Sequence, residues 1–95
     1  MTKAELVKQI ARETGIENQI VMAVVEDFME AIKKNMAEGN EVFLRGFGSF
    51  ILKTRAEKTA RNISQNTSLI IPAHNIPFFK PCPEFKKAVE ETPVE

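Results

Sequence analysis

Apolar residues recur every three or four positions along the N-terminal part of the chain, which is the spacing of one face of a helix. The first stripe starts at Leu6 and Val7. It follows a Thr-Lys-Ala-Glu sequence, beginning at Thr2, that fits a capping box in which the threonine hydroxyl accepts from the glutamate amide. Gly15 is placed to end the helix in a left-handed conformation. A short first helix is therefore predicted between Thr2 and Gly15.

A second and longer apolar stripe predicts a helix that opens at Glu17 or Asn18 and stops before Gly39. The stripe consists of Val21, Val25, Phe28, Ile32 and Met36, widened by Ile20, Val24 and Met29. Such a stripe is broader than one short neighbouring helix can cover. The surplus predicts a partner subunit or cover by a sheet of the same chain, and the periodicity leaves both open.

From Glu41 the apolar period changes to two, which is the period of a strand. A Gly46-Phe47-Gly48 turn separates two extended segments, so a β-hairpin is predicted. The polar stretch 56–68 then leads directly into strand-like residues 69–71. This stretch forms either a long hairpin arm or a disordered loop.

Prolines punctuate the remainder of the chain. Pro72 and Pro77 are expected to break the strand that ends at residue 71. Pro83 is tolerated in the first turn of a helix, so a third short helix is predicted from Glu84 to about Glu91. Five phenylalanines stand among aliphatic residues and are expected in the core or in a dimer interface: Phe47, Phe50, Phe78, Phe79 and Phe85.

Charge is zero overall but unevenly distributed along the 95 residues. Residues 1–44 carry five basic and eight acidic side chains, whereas residues 45–87 carry eight basic and two acidic ones. The chain then ends on an acidic tail that contains Glu90, Glu91 and Glu95. A basic block between two acidic segments is typical of a protein with one polyanion-binding face.

Several classes of protein are excluded by what the sequence lacks. Cys82 is the only cysteine and His74 the only histidine, so neither a disulfide nor a zinc site is expected, and neither residue is assigned a functional role. The longest apolar run, from Ile20 to Val25, is too short for a membrane span, and a cytoplasmic protein is expected. With no phosphate-binding glycine loop, metal cluster or activated nucleophile, neither an enzyme nor a cofactor is expected.

Four sequence motifs occur in one order and register: Leu44-Arg45-Gly46-Phe47-Gly48-Ser49-Phe50, Thr59-Ala60-Arg61-Asn62, Ile71-Pro72-Ala73 and Pro77-Phe78-Phe79-Lys80-Pro81. With these motifs the chain resembles the bacterial histone-like HU and integration host factor family over essentially its whole length. The resemblance implies an α+β fold with two N-terminal helices, a three-stranded antiparallel sheet, a long β-hairpin arm and a short C-terminal helix.

The resemblance also implies one domain, 1–95, that forms an intertwined homodimer or a heterodimer with a paralogue. Residues 1–40 would be the helical dimerisation region, and residues 41–80 would form the saddle strands and the arm, with the arm at about 55–70. Residues 83–91 would form the C-terminal helix and 92–95 the tail. The implied function is architectural: two basic arms hold double-stranded DNA through its minor groove, bend it and help to organise the chromosome of the nucleoid.

One departure from the family concerns the arm tip. The family's wedge between base pairs is a proline after the arginine-asparagine pair, and this chain has Ile63 there, while Asn66 replaces a glycine. Isoleucine is among the side chains that architectural proteins insert between base steps. Bending is therefore expected to survive, with altered affinity or selectivity because isoleucine lacks the rigidity of proline.

The residues expected to contact DNA are Lys53, Arg55, Lys58, Arg61, Asn62, Ile63, Lys80 and Lys86. Arginine suits a narrow, electronegative minor groove, and lysines at the flank would extend the positive surface along a bent duplex. Any one lysine is otherwise a solvated surface charge, and Asn62 either reads base edges or caps the turn. The alternative function is that of a divergent family member acting mainly as a protein-interaction or structural dimer with weak DNA binding, an interpretation that the zero net charge and the acidic tail favour.

Overall fold

The N-terminal part of the chain folds into two helices, α1 (Lys3–Thr14) and α2 (Asn18–Ala37). They belong to the first of two units, Met1–Glu38 and Gly39–Glu95, into which the chain divides. The coordinates are those of a computed structural model, which describes residues 1–62 and 67–94.

Helix α1 begins and ends as its sequence predicts. The Thr2 hydroxyl accepts a 3.2 Å hydrogen bond from the Glu5 amide, which satisfies one of the free N–H groups at the helix start. Gly15 takes the left-handed conformation, with φ of 73°, and its N–H donates to the carbonyl of Ala11. This conformation is nearly free of steric cost only for glycine, so Gly15 ends the helix.

The two helices pack through a small apolar contact. Val7 of α1 and Val21 of α2 are buried, and the Lys3 ammonium lies 3.7 Å from a Glu26 carboxylate oxygen. Helix α1 leaves part of the α2 stripe uncovered, since Val24 and Phe28 are 63% and 48% exposed while Val25 is half-buried. The helical unit therefore presents an apolar surface that its own two helices do not bury.

The second unit contains, within its described residues, these elements: β1 (Val42–Leu44), β2 (Gly48–Arg55), β3 (Lys58–Asn62), β4 (Thr67–Ile71), β5 (His74–Pro81) and α3 (Pro83–Glu90). Strands β1, β2 and β5 form an antiparallel sheet with β2 in the centre. Gly46, with φ of 82°, makes the turn between β1 and β2. The predicted α+β fold, with its three-stranded sheet and two-stranded arm, is confirmed.

The expectation that Pro77 breaks a strand is wrong, because Pro77 lies inside β5 opposite Leu52. The Leu52 amide donates to the Glu41 carboxylate at 2.9 Å, on the side of β1, so Leu52 and Pro77 are not a hydrogen-bonded pair. The ring nitrogen of Pro77 then faces the open edge of the sheet. A proline is tolerated there because no ladder hydrogen bond is lost.

An aromatic cluster joins the sheet to helix α3. The Phe79 ring centroid lies 5.0 Å from Phe47, 4.9 Å from Phe50 and 6.1 Å from Phe85, distances typical of favourable ring pairs. Cys82 caps α3, since its sulfur accepts from the Phe85 amide at 3.4 Å. These four phenylalanines, called the aromatic cluster, are the main apolar contact of the second unit, with Phe50, Phe79 and Phe85 half-buried and Phe47 43% exposed.

The polar stretch between β2 and β5 forms strands where it is described. β3 and β4 pair as an antiparallel two-stranded sheet, with Lys58 opposite Ile71 and Ala60 opposite Leu69. The described strands favour the predicted hairpin arm over a disordered loop. Residue Ile63, the expected wedge, lies outside the described residues.

Candidate nucleic-acid interface

Strand alternation divides the three-stranded sheet into two chemically different faces. Residues directly opposite each other in an antiparallel pair share a face, and so do residues two apart along a strand. One face carries Phe50, Leu52 and Phe79 and belongs to the core. The opposite face, called the basic sheet face below, carries Phe43, Ser49, Ile51, Lys53, Arg55, His74, Ile76, Phe78 and Lys80.

The basic sheet face gathers three of the predicted DNA-contact residues. Lys53 and Arg55 are two apart in β2, and Lys80 pairs with Ser49 from β5, so all three belong to one surface. All three side chains are exposed, and none of the nine residues on this face is acidic. The local charge is therefore strongly positive although the whole chain is neutral.

Helix α3 adds a further basic residue beside this face. An open groove is lined by Ile51, Lys53, Phe78, Lys80, Pro81 and Lys86. Pro83 starts the helix directly after β5, which places Lys86 in its first turns next to Lys53 and Lys80. Three of the expected contact residues thus converge on one groove with an apolar floor.

Ion pairing leaves these cations uncompensated. Among the side chains that the structure describes, those of residues 1–60 and 68–94, the ion pairs are Lys3 with Glu26 and Lys33 with Glu30, and both lie in the helical unit. Lysines and arginines on a surface without carboxylate partners attract a polyanion more strongly than paired ones. The pairing of Lys3 makes that residue a poorer candidate than the four cations around the basic sheet face.

The arm carries the remaining expected contacts on a different pair of strands. Arg55 is the last residue of β2, and β3 starts at Lys58 after residues 56–57, so the three-residue spacing from Arg55 to Arg61 does not run along one strand. In the backbone register, Arg61 lies opposite Ser68 and Asn62 opposite Thr67. Arg55 thus belongs to the sheet, while Lys58 and Arg61 belong to the arm.

Phe78, which the sequence predicts in the core or in a dimer interface, is a residue of this surface. It lies outside the aromatic cluster, on the basic sheet face, and its ring centroid is 3.7 Å from the Lys53 ammonium nitrogen. A signal was present in the sequence: Phe78 and Phe79 are adjacent, so in a strand only one of them can face the core. His74 also lies on this face, opposite Arg55, with Nδ1 2.9 Å from the Pro72 carbonyl oxygen.

Metal and membrane sites are not found in the described part of the chain. Across residues 1–62 and 67–94, no three His, Cys, Asp or Glu side chains are grouped so as to hold a metal ion. No helix in these ranges has the length and apolarity needed to cross a bilayer.

The sequence is similar to a known protein family and to proteins of known name. Residues 1–90 match the model of a family described as bacterial DNA-binding protein. The chain is 37% identical over 93 residues to integration host factor subunit beta of Marinobacter nauticus, covering 97% of this chain and 95% of that protein. It is 35% identical over 95 residues to integration host factor subunit alpha of Aliivibrio salmonicida, covering 100% of this chain and 97% of that protein.

The fold is also similar to solved structures of HU proteins. A cocrystal structure of Anabaena HU with DNA superimposes with a TM-score of 0.88 at 32% identity, covering 97% of this chain and 100% of that one. A point mutant of HU from Thermotoga maritima superimposes with a TM-score of 0.70 at 25% identity, covering 94% and 99% of the two chains.

Proposed function

Because the chain belongs to the bacterial DNA-binding protein family of HU and integration host factor, we propose that it is a dimeric architectural protein that binds double-stranded DNA and bends it. Proteins of this family are not enzymes, which confirms the expectation that the chain is not one. The proposal places the protein on the nucleoid in the bacterial cytoplasm, without a cofactor.

The basic sheet face is the single observation that best supports the proposal. Lys53, Arg55 and Lys80 project from one surface that bears no acidic residue, and Lys86 lines the adjoining groove. A duplex carries one negative charge per about 1.7 Å of its axis, so a broad acid-free cationic surface is complementary to it.

The arm supports contact with the minor groove. A two-stranded ribbon is narrow, and its strand β3 carries two basic residues, Lys58 and Arg61, in the chain. The Anabaena relative was crystallised with DNA. By this proposal each subunit contributes one arm, and Asn62 and Ile63 at the tip approach the base pairs.

Dimer formation is supported by the helical unit. Val24 and Phe28 of α2 are exposed in the single chain although they belong to the apolar stripe. The two integration host factor relatives are named as subunits. We propose that a second copy, or a related subunit, covers this stripe and brings two basic sheet faces to one duplex.

The proposed function is tested by a gel-shift series with intact, nicked and gapped duplexes over a range of salt concentrations. The logarithm of affinity is expected to fall with the logarithm of salt at about −0.9 per phosphate contact. A protein that distorts DNA is expected to bind the nicked and gapped duplexes more tightly, because they bend at a lower energetic cost.

A flat response to salt would contradict the proposal. That result, together with equal affinity for the three duplexes, would favour the alternative of a family member that acts mainly in protein interactions. The acidic residues Glu90 and Glu91 give that alternative a physical basis. They follow Lys86 closely in the chain, and carboxylates near the basic sheet face would compete with DNA for it.

A further inference from the structure

Phe78 occupies an unusual position for a large aromatic residue in a strand of this unit. Its neighbour Phe79 packs in the aromatic cluster, whereas the Phe78 side chain lies on the opposite face and is 39% exposed. In the register, Phe78 is opposite Ile51, and Lys53 is two residues further along the same face. The ring therefore lies diagonally next to the Lys53 side chain.

The contact between Lys53 and Phe78 has the geometry of a cation–π interaction. The ammonium nitrogen lies 3.7 Å from the ring centroid, well within the range of about 6 Å in which the ring's negative face attracts a cation. We propose that Phe78 is a positioning residue that holds the Lys53 ammonium in place for a DNA phosphate. This inference rests on the proposed function.

Two features make the held conformation suitable for binding. An ammonium group has three donor hydrogens, and a ring on one side leaves the other side open to a phosphate oxygen. Lys53 is an exposed residue, so its outer side is accessible. A lysine side chain that is ordered before DNA arrives loses less rotamer freedom on binding, and a preordered contact favours affinity.

The Phe78 ring also offsets the repulsion between Lys53 and the neighbouring lysines. Lys80 and Lys86 line the same groove as Lys53, and like charges repel each other. Without an attractive partner, the mobile Lys53 side chain would move away from the other two ammonium groups. The ring offsets this repulsion without adding a carboxylate that would compete with DNA for the lysine.

The first test observes the contact in the free protein by nuclear magnetic resonance. A methylene group next to a ring face experiences the ring current, so the Lys53 ε-methylene protons are expected to resonate upfield of ordinary lysines. Phe78→Leu is expected to abolish this shift and Phe78→Tyr to retain it. Phe43→Leu, which removes an exposed ring from the same face, serves as the matched control and is expected to leave the shift unchanged.

The second test measures DNA affinity at one fixed salt concentration. Phe78→Leu is expected to weaken duplex binding about two- to fivefold, the effect of one exposed cation–π contact. Lys53→Ala is expected to weaken it as well, and Phe78→Leu in that background is expected to have no further effect. Phe78→Tyr is expected to restore wild-type affinity, and thermal unfolding of each variant separates positioning from loss of fold.

Three results would overturn the proposal. Additive effects of the two substitutions would mean that the residues act independently, and tighter binding by Phe78→Leu would mean that the ring sequesters Lys53. An upfield Lys53 shift in the wild type, together with unchanged DNA affinity of Lys53→Ala, would show a contact without a role in binding. Failure of the wild-type protein to bind duplex would instead contradict the proposed function itself.

Discussion

Gly48 lies where two backbone segments of the second unit approach each other closely. A Cβ atom added at Gly48 would lie 2.6 Å from the Lys80 carbonyl oxygen and 2.6 Å from a ring carbon of Phe79. Such distances are far shorter than a van der Waals contact, so β2 or β5 would have to move. Gly48 is therefore required by space, because strand β5 and the aromatic cluster pass directly over it.

Gly48→Ala is expected to destabilise the protein by about 1–3 kcal/mol, the usual cost of inserting a methyl group into a packed site. Urea unfolding followed by circular dichroism measures this change. Ser49→Ala, one residue further along β2, is the control and is expected to have a smaller effect. Equal unfolding midpoints for the two variants would contradict the steric argument.

Ile63 is the residue that we propose as the wedge between base pairs. Ile63→Ala removes most of the apolar volume that would fill an opened base step, so DNA bending is expected to fall more than affinity does. The bend is measured by energy transfer between dyes at the two ends of a short duplex. Ser64→Ala is the matched control, and equal bending by Ile63→Ala and the wild type would remove the wedge assignment.

The three-stranded sheet separates two functions that are mixed in the sequence. Alternate residues of β2 face the aromatic cluster or the basic sheet face, so one strand contributes both to stability and to the proposed interface. Edge strand β5 accommodates Pro77 without losing a ladder hydrogen bond. Helix α3 then brings Lys86 to the groove that Lys53 and Lys80 line.

Lys80→Ala is expected to weaken binding to duplexes of different sequence by a similar factor and to reduce the salt slope by about 0.9, because it removes one phosphate contact. Gel-shift titrations at several salt concentrations measure both quantities. Lys33→Ala provides the control, since Lys33 is paired with Glu30 on α2. An unchanged slope in Lys80→Ala would place Lys80 outside the interface.

The described residues bury little apolar surface for a stable chain. In the described residues the buried apolar side chains are Val7 and Val21, while large apolar residues such as Val24 and Phe43 are exposed. A domain of this size gains only modest stability from its own core, and oligomerisation is a common remedy. The exposed stripe on α2 is the surface on which we propose that a second subunit packs.

Val24→Glu is expected to raise the dimer dissociation constant at least about tenfold, because a carboxylate would be buried in an apolar contact. Analytical ultracentrifugation measures this constant. In the wild type the thermal midpoint is expected to rise with protein concentration, as for other linked assemblies. Lys34→Glu, which also introduces a carboxylate on α2, is the control, and equal dissociation constants for the two variants would argue against the stripe as the interface.

The sequence alone was sufficient for the helices and the first hairpin, because local rules govern them. Local patterns did not predict strand β5 through Pro77 and left the choice between an arm and a loop open. Apolar spacing and the caps at Thr2 and Gly15 located the helices, and the change of period after Glu41 located the strands. The motifs around Gly46 and Pro77 were enough to indicate the family. Charge counts along the chain also identified the basic block that supplies Lys53, Arg55 and Lys80.

Only the tertiary structure decided which side chains meet. The register between β2 and β5 places Lys53, Arg55 and Lys80 on one face and brings the Phe78 ring to the Lys53 ammonium, and strand pairing is a long-range property that no local pattern specifies. The same pairing decides that Phe79 rather than Phe78 faces the aromatic cluster, and the strand order makes Pro77 an edge residue. Local spacing determines each element, whereas the partner of each side chain depends on how distant elements pair.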